Sequence, residues 1–229
     1  MLVQVRNRVA LLRSYRVDRA LALFNVSEQQ AAEFHFDVEV PLERDDWRIG
    51  VVVGPSGSGK TSIARALDGY GWTEWGTEEW PNAALIDAIA PEGDFDAVTS
   101  ALASVGLGTV PSWIRPYRVL SNGEKYRAEL ARLLVERPAA SYFDEFTSVL
   151  DRNVARVGAR AFAKAWRRGP AARVVFLTPH NDVLAELQPD WVIRTSLEGV
   201  AVIGDEDPGR TISVRSDFAD APVVGEVVA

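Results

Sequence analysis

The run Gly54-Pro55-Ser56-Gly57-Ser58-Gly59-Lys60-Thr61-Ser62 combines small residues, one cation and two adjacent hydroxyls in a spacing that suits phosphate. Glycines let successive backbone N–H groups converge on an anion, and a helix that starts at the end of the run adds positive dipole character. Lys60 has the reach to meet the β- and γ-phosphates of a nucleoside triphosphate, and the Thr61 hydroxyl suits Mg²⁺. Such a loop works only between a strand and a helix. Ile49 to Val53 is a short, fully apolar, β-branched-rich run, and a helix is expected from about Lys60 to Leu67.

The rest of the chain supplies the elements that must carry this loop. Tyr15 to Phe24 and Phe34 to Val40 read as strands, the second alternating apolar and polar residues, so that His35 should face solvent. Asp45-Asp46 reads as a turn. From Gly69 to Pro116 the texture changes, with Trp72, Trp75, Trp80 and Trp113, several Gly and Pro, and helical patterns near 83–90 and 95–105. Glu124 to Glu136 is amphipathic at helical period. A strand (Ala140 to Phe143), a helix (about Val154 to Arg168) and a strand (Arg173 to Thr178) follow. Strand, helix and strand in alternation imply a parallel sheet with crossover helices. One domain is expected over 1–204, with an inserted helical subdomain over about 72–135. An acidic tail over 205–229 holds one plausible strand, TISVR.

The 229 residues suffice for one large α/β domain. Hydrophobic residues make up 47% and charged residues 25%, ordinary for a folded, water-soluble chain. No apolar run approaches the roughly 20 residues that span a bilayer. The N-terminus lacks the pattern of a signal peptide. With no cysteine there is no disulfide, thiolate nucleophile or zinc-thiolate site, and a cytoplasmic location is expected. A net charge of −7 argues against a generally basic nucleic-acid binder. The first 20 residues nevertheless carry Arg6, Arg8, Arg13, Arg16 and Arg19 against Asp18 alone.

Four further motifs follow in fixed order: Leu120-Ser121-Asn122-Gly123-Glu124 before a helix, Asp144-Glu145 at a strand end, Ser148-Val149-Leu150-Asp151, and Thr178-Pro179-His180. Each is weak alone. In this order after a phosphate loop they closely resemble the ABC ATPase family, over roughly residues 20 to 195. The fold implied is an α/β P-loop NTPase with a mostly parallel sheet, N-terminal antiparallel strands and an inserted helical subdomain. The resemblance implies ATP and Mg²⁺ as ligands. Asp144 would hold the metal with Thr61, Glu145 would act as general base on the attacking water, and His180 would sense the γ-phosphate. Two acids at a strand end can also be a solvated turn. Ser121, Asn122, Gly123 and Asp151 would cap the nucleotide of a second copy, giving a two-fold homodimer around two ATP molecules. Phe24, or else Tyr15, is the candidate for stacking on adenine.

The pattern departs from the family in places. Asn122 and Glu124 replace the usual Gly and Gln of the signature, Phe146 stands where Pro usually follows the catalytic Glu, and Pro179 is an extra residue before His180. The family places a glutamine between phosphate loop and signature. Here no glutamine lies between Thr61 and Ser121, and the slot falls to Glu78, Glu79 or Trp80. The stretches around Pro111–Glu124 and Asp144–Arg152 also resemble stand-alone ABC ATPases of phages and mobile elements, often fused to an acetyltransferase-like domain. These features favour an ATPase acting on a macromolecular partner such as nucleic acid or phage machinery, without a membrane segment of its own. A transporter ATP-binding subunit is the alternative. A nucleotide-gated clamp, using the Arg-rich N-terminus and the four tryptophans as a stacking surface, is a third reading. A kinase is a fourth, although the signature and His180 have no task there.

Overall fold

The computed structural model describes residues 2–8, 10–28, 33–196, 199–204 and 211–215. The chain runs β1 (Leu2–Arg8), α1 (Tyr15–Leu23), β2 (Glu33–Glu39), β3 (Ile49–Val53), α2 (Lys60–Asp68) and β4 (Thr73–Glu74). Then come α3 (Leu85–Ala88), α4 (Phe95–Ser104), α5 (Val110–Trp113) and α6 (Asn122–Glu136). The last part is β5 (Ala140–Phe143), α7 (Arg152–Arg168), β6 (Arg173–Thr178), α8 (Leu184–Leu187), β7 (Trp191–Thr195), β8 (Gly199–Gly204) and β9 (Thr211–Arg215).

The main sheet has the order β4-β5-β6-β3-β7-β8-β9. The first five strands are mutually parallel, and β8 and β9 complete the sheet antiparallel. Period-two alternation sends the apolar side chains of the central strands to both faces. Ile49, Val51, Val53, Val174 and Phe176 belong to one buried cluster with α4, α6 and α7, while Val52, Val175 and Leu177 belong to the other. The second cluster lies under the antiparallel pair β1–β2, where Val3 faces Val38, and includes Ile63 and Leu67 of α2. Trp47 joins it, stacked on Trp72 at 5.7 Å between centroids and edge-on to Trp191.

Four elements differ from the expectations. Tyr15–Leu23 is a helix, not a strand: Ser14 caps it by accepting from Val17 N, and Asp18 sits in the favourable first turn. The partner that makes β2 a hairpin is Leu2–Arg8, a segment not expected to be a strand. WVIRT forms β7 beside the central strand and GVAVIG forms β8 beside β7, neither of them expected, whereas TISVR, expected as a strand, pairs with β8. The side chain of His35 and the remainder of the 205–229 tail lie outside the described residues.

Of the four tryptophans of the inserted region, Trp72 is buried, while Trp75, Trp80 and Trp113 are half-buried with their indole N–H groups bonded within the fold. Trp72 is buried in the sheet cluster just before β4 pairs with β5. Trp75 Nε1 donates to the Glu129 carbonyl (3.3 Å), Trp80 Nε1 to the Glu129 carboxylate (2.6 Å), and Trp113 Nε1 to Leu107 O (2.5 Å). The helices after Leu85 share one continuous cluster with the sheet.

Candidate functional site

Parallel β5, β6 and β3 are neighbours, so their carboxyl ends open on one edge of the sheet, where α/β folds bind ligands. The phosphate loop leaves β3 there. Gly54 N donates to Thr178 O at the end of β6 (3.2 Å), and a Cβ on Gly54 would fall on the Thr195 hydroxyl and carbonyl. Gly57 and Gly59 turn the chain with φ of 80° and 90°, left-handed conformations that glycine adopts without Cβ strain. Ser58 is buried and bridges Pro55 O (2.7 Å) and the Thr195 hydroxyl (2.6 Å), which fixes the loop from below. Pro55, Ser56 and Gly57 form its exposed crown, while Ser62 is half-buried in the first turn of α2.

Lys60 is 5% exposed, and its ammonium donates to the carbonyls of Gly54 and Pro55, both at 2.9 Å. Burial lowers its pKa, against the pull of the Glu145 and Asp144 carboxylates. The cation is therefore curled over the loop, where an incoming phosphate can replace its two carbonyl partners. Beside it, the Thr61 hydroxyl donates to Asp144 Oδ2 (2.7 Å). A hydroxyl and a carboxylate are hard oxygen donors, and the pair suits Mg²⁺, which takes its remaining ligands from phosphate and water.

Glu145 and Thr147 both hold positive φ, 52° and 72°. For a β-branched threonine this costs conformational energy, and such strain gathers at functional loops. The loop is held in place by Glu145 N donating to Asp144 Oδ1 (2.8 Å) and by the Ser148 hydroxyl bonded to the Glu145 carboxylate. Phe146 N donates to Leu177 O (2.8 Å), and its fully buried ring packs on Phe176, Phe143 and Tyr126. That amide accounts for the departure from proline, which has no N–H to give. A cleft of about 240 Å³ runs from Glu145 and Ser148 to Asn122 and Tyr126 of α6.

His180 lies on the same edge. Its backbone N donates to the Thr178 hydroxyl, and its Nδ1 is within reach of the Thr147 hydroxyl (3.4 Å) and Arg152 Nη1 (3.1 Å). Burial and the neighbouring Arg152 cation lower its pKa, opposed by Asp182 and Glu145. The sequence assigned no role to Thr147, Arg152 or Thr195, and named Ser148 only as the first residue of the Ser148–Asp151 motif. Only the closeness of Thr147, Ser148 and Arg152 to Glu145 and Asp151 gave a signal.

The structure thus brings Lys60, Thr61, Asp144, Glu145 and His180 together. The signature residues lie at the start of α6, where Asn122 lines the same cleft as Glu145 and Ser148. Ser121 caps α6 in a reciprocal box with Glu124, leaving Ser121 and Asn122 exposed and Gly123 half-buried. Asp151 is exposed and caps α7 by accepting from Asn153 N and Val154 N. Phe24 is 49% exposed at the end of helix α1 and Tyr15 is 75% exposed at its start, so the adenine candidate does not stand at a strand end. In the slot expected for glutamine, Glu78 is ion-paired to Arg132, Trp80 stacks on Tyr117 at 4.4 Å, and Glu79 is exposed.

No family model matches the chain. It is 32% identical over 196 residues to the phosphonates import ATP-binding protein PhnC 1 of Natronomonas pharaonis, covering 82% of this chain and 78% of that one. It is 32% identical over 165 residues to the cytochrome c biogenesis ATP-binding export protein CcmA of Pseudomonas aeruginosa, covering 58% and 79%. The hemin import ATP-binding protein HmuV of Rhodococcus jostii is 28% identical over 198 residues, covering 69% and 67%. Among solved structures, an inward-facing metal-chelate type ABC transporter aligns with a TM-score of 0.57 and 15% identity, over 88% of this chain and 83% of that chain. A bacterial Atm1-family ABC exporter with ATP bound aligns at 0.52 and 18%, over 71% of this chain and 33% of that chain. The likeness in fold and the identity shared across most of both chains agree with the order of motifs around the phosphate loop: the chain belongs to the ATP-binding proteins of the ABC family and is an ATPase.

Proposed function

We propose that this chain is the ATP-hydrolysing subunit of a membrane transporter, working as a homodimer that closes on two ATP molecules. The observation that carries the hydrolytic part is the Thr61–Asp144 bond beside the buried Lys60, with Glu145 next in the chain. The transport part rests on resemblance to ATP-binding proteins of import and export systems. It reverses the preference, taken from the sequence, for a non-transport partner. No described helix is long and apolar enough to cross a membrane, so the translocation path would belong to another chain.

In this reading the loop amides of Ser56 to Ser62 surround the β-phosphate, and Lys60 moves from its carbonyl partners to the β- and γ-phosphates. Thr61 and Asp144 would hold Mg²⁺, which would supply positive charge against that of the phosphates. Glu145, held by Ser148, orients and deprotonates the attacking water. His180 donates to the γ-phosphate. Ser121 and Gly123 present the start of α6 to the nucleotide of the second copy, with Asp151 near the interface.

The test is Glu145→Gln. It should bind ATP, lose at least about 10²-fold in turnover, as removal of a general base implies, and shift from monomer to dimer with Mg-ATP by light scattering. The trapped dimer should then co-purify with a permease that raises wild-type ATP turnover. A persistent monomer would sink the sandwich.

The second reading keeps the stand-alone ATPase of the mobile-element type, acting on a soluble macromolecule. The specific observation for it is the absence of a glutamine between Thr61 and Ser121, in a slot now filled by packed aromatics. A soluble partner on the trapped dimer, in place of a permease, would favour it.

A further inference from the structure

Arg152 is the first residue of α7, immediately after the exposed Asp151 that caps the helix. Its Nε and Nη2 donate to the two carboxylate oxygens of Asp182 (Nε at 3.1 Å), which fixes the guanidinium plane. Its Nη1 then reaches Thr147 O (3.3 Å) and His180 Nδ1 (3.1 Å). A guanidinium only donates. Nδ1 must therefore accept, and the single proton of a neutral imidazole is placed on Nε2.

We propose that Arg152 is a positioning residue for ATP hydrolysis: it holds His180 as the neutral Nε2–H tautomer and ties that ring to the Asp151 turn. This rests on the reading that His180 serves the γ-phosphate. Held neutral, the ring offers its Nε2–H as a hydrogen-bond donor toward the γ-phosphate. The charges facing the ring are Arg152 from α7, Asp182 from the turn after β6, Glu145 from the loop after β5 and Lys60 from α2. Arg152 and Lys60 disfavour an imidazolium, in step with burial, while Asp182 and Glu145 favour it. Arg152 is also a mechanical link. Asp151 is anchored by Asn153 N and Val154 N, so a displacement of this turn by a docking surface is passed through Arg152 to both Asp182 and His180.

The experiment reads the ring directly. The chain has two histidines, so ¹⁵N spectra of the imidazoles need only a His35→Gln variant for assignment. The wild type should show the Nε2–H tautomer for His180 and a titration midpoint below the ordinary histidine value. Arg152→Met should raise that midpoint, mix the tautomers and lower ATP turnover about tenfold or more, with KM for ATP little changed. The range is that of a modest misplacement of a reacting group. Arg152→Lys should recover part of the turnover. Asp182→Asn, which frees the guanidinium while keeping its charge, should broaden the tautomer signature and carries the test if Arg152→Met does not fold. An unchanged tautomer and midpoint in Arg152→Met, or a full change with wild-type turnover, overturns the proposal. Wild-type turnover in His180→Gln would instead sink the role of His180 at the phosphate, and the spectra distinguish that failure from this one.

Discussion

Glu124, which stands where the ABC signature usually has glutamine, offers the most quantitative test of how this chain holds its signature helix. Its Oε2 accepts from the Ser121 N–H (3.0 Å) and hydroxyl (2.8 Å), its Oε1 accepts from the Ser112 hydroxyl (2.8 Å), and its own N–H returns a bond to Ser121 Oγ (3.3 Å). These donors hold the carboxyl down at about 2, from an ordinary 4.5. At 1.36 kcal/mol per pKa unit the gap is ~3.4 kcal/mol. The group is half-buried and water screens it, so roughly half of that, ~1.5 kcal/mol, is expected at pH 7, within the range for helix caps. Because the folded pKa lies below the unfolded one, this stability is present above about 4.5 and is lost as pH falls toward about 2. Urea unfolding should show Glu124→Ala less stable by ~1.5 kcal/mol at pH 7, with ~0.7 kcal/mol of that difference gone by pH 3.5. Glu124→Gln keeps one acceptor oxygen and should cost about half as much at pH 7. A Glu124→Ala deficit under ~0.5 kcal/mol, or one that is the same at pH 7 and 3.5, would refute the capping argument.

Other substitutions test the neighbouring parts. Lys60→Ala removes a charge-assisted contact to phosphate worth ~2–3 kcal/mol, so calorimetry should find ATP bound about 30- to 150-fold more weakly. Glu145→Gln should keep ATP affinity within about twofold while hydrolysis falls at least ~10²-fold, read by phosphate release. Phe146→Pro, which restores the family's usual residue, deletes the bond to Leu177 O and a fully buried ring. It should lower stability by ~3 kcal/mol or more in thermal unfolding, and a variant as stable as wild type would remove the account given for this departure.

Much of the site was legible because its chemistry is local. The phosphate loop needs a strand before it and a helix after it, and Ile49–Val53 and Lys60–Asp68 supply both within twenty residues. The burial of β3 and β6 on both faces was written in their continuous apolar, β-branched runs. α1 was misread because Ala20, Leu21, Ala22 and Leu23 offer no clear period, while its Ser14 cap and first-turn Asp18 carried the helical signal. β1 spans seven residues, but its role depends on a partner more than 20 residues away. The contacts around His180 were beyond sequence reasoning for a different reason. Arg152 and His180 are 28 residues apart, with a helix and a strand between them, and nothing local marks their meeting. Nor does residue type reveal that Glu145 and Thr147 adopt positive φ.

The departures from the family pattern divide into two kinds, and the division bears on what the ATPase is coupled to. Phe146 gains an amide bond and a ring cluster, and Glu124 gains a complete capping box, so both positions hold the loop and helix they belong to. The glutamine slot is different. Trp80 and Trp75 are bonded to Glu129, Trp80 is stacked on Tyr117, and Arg132 sits over both indoles at 5.0 and 5.5 Å. Those contacts fasten the segment after β4 to α6 rather than to the phosphate site. Glu129 is itself buried, with its pKa raised by that burial, so loosening the cluster would expose a costly group to rearrangement. A partner that pushes on this segment would therefore act first on α6 and its capped signature end, and through Tyr126 on the Phe146 ring beside Glu145. If so, locking Trp80 to α6 by a stabilising substitution should reduce partner stimulation of ATP turnover and leave the basal rate of the isolated chain unchanged.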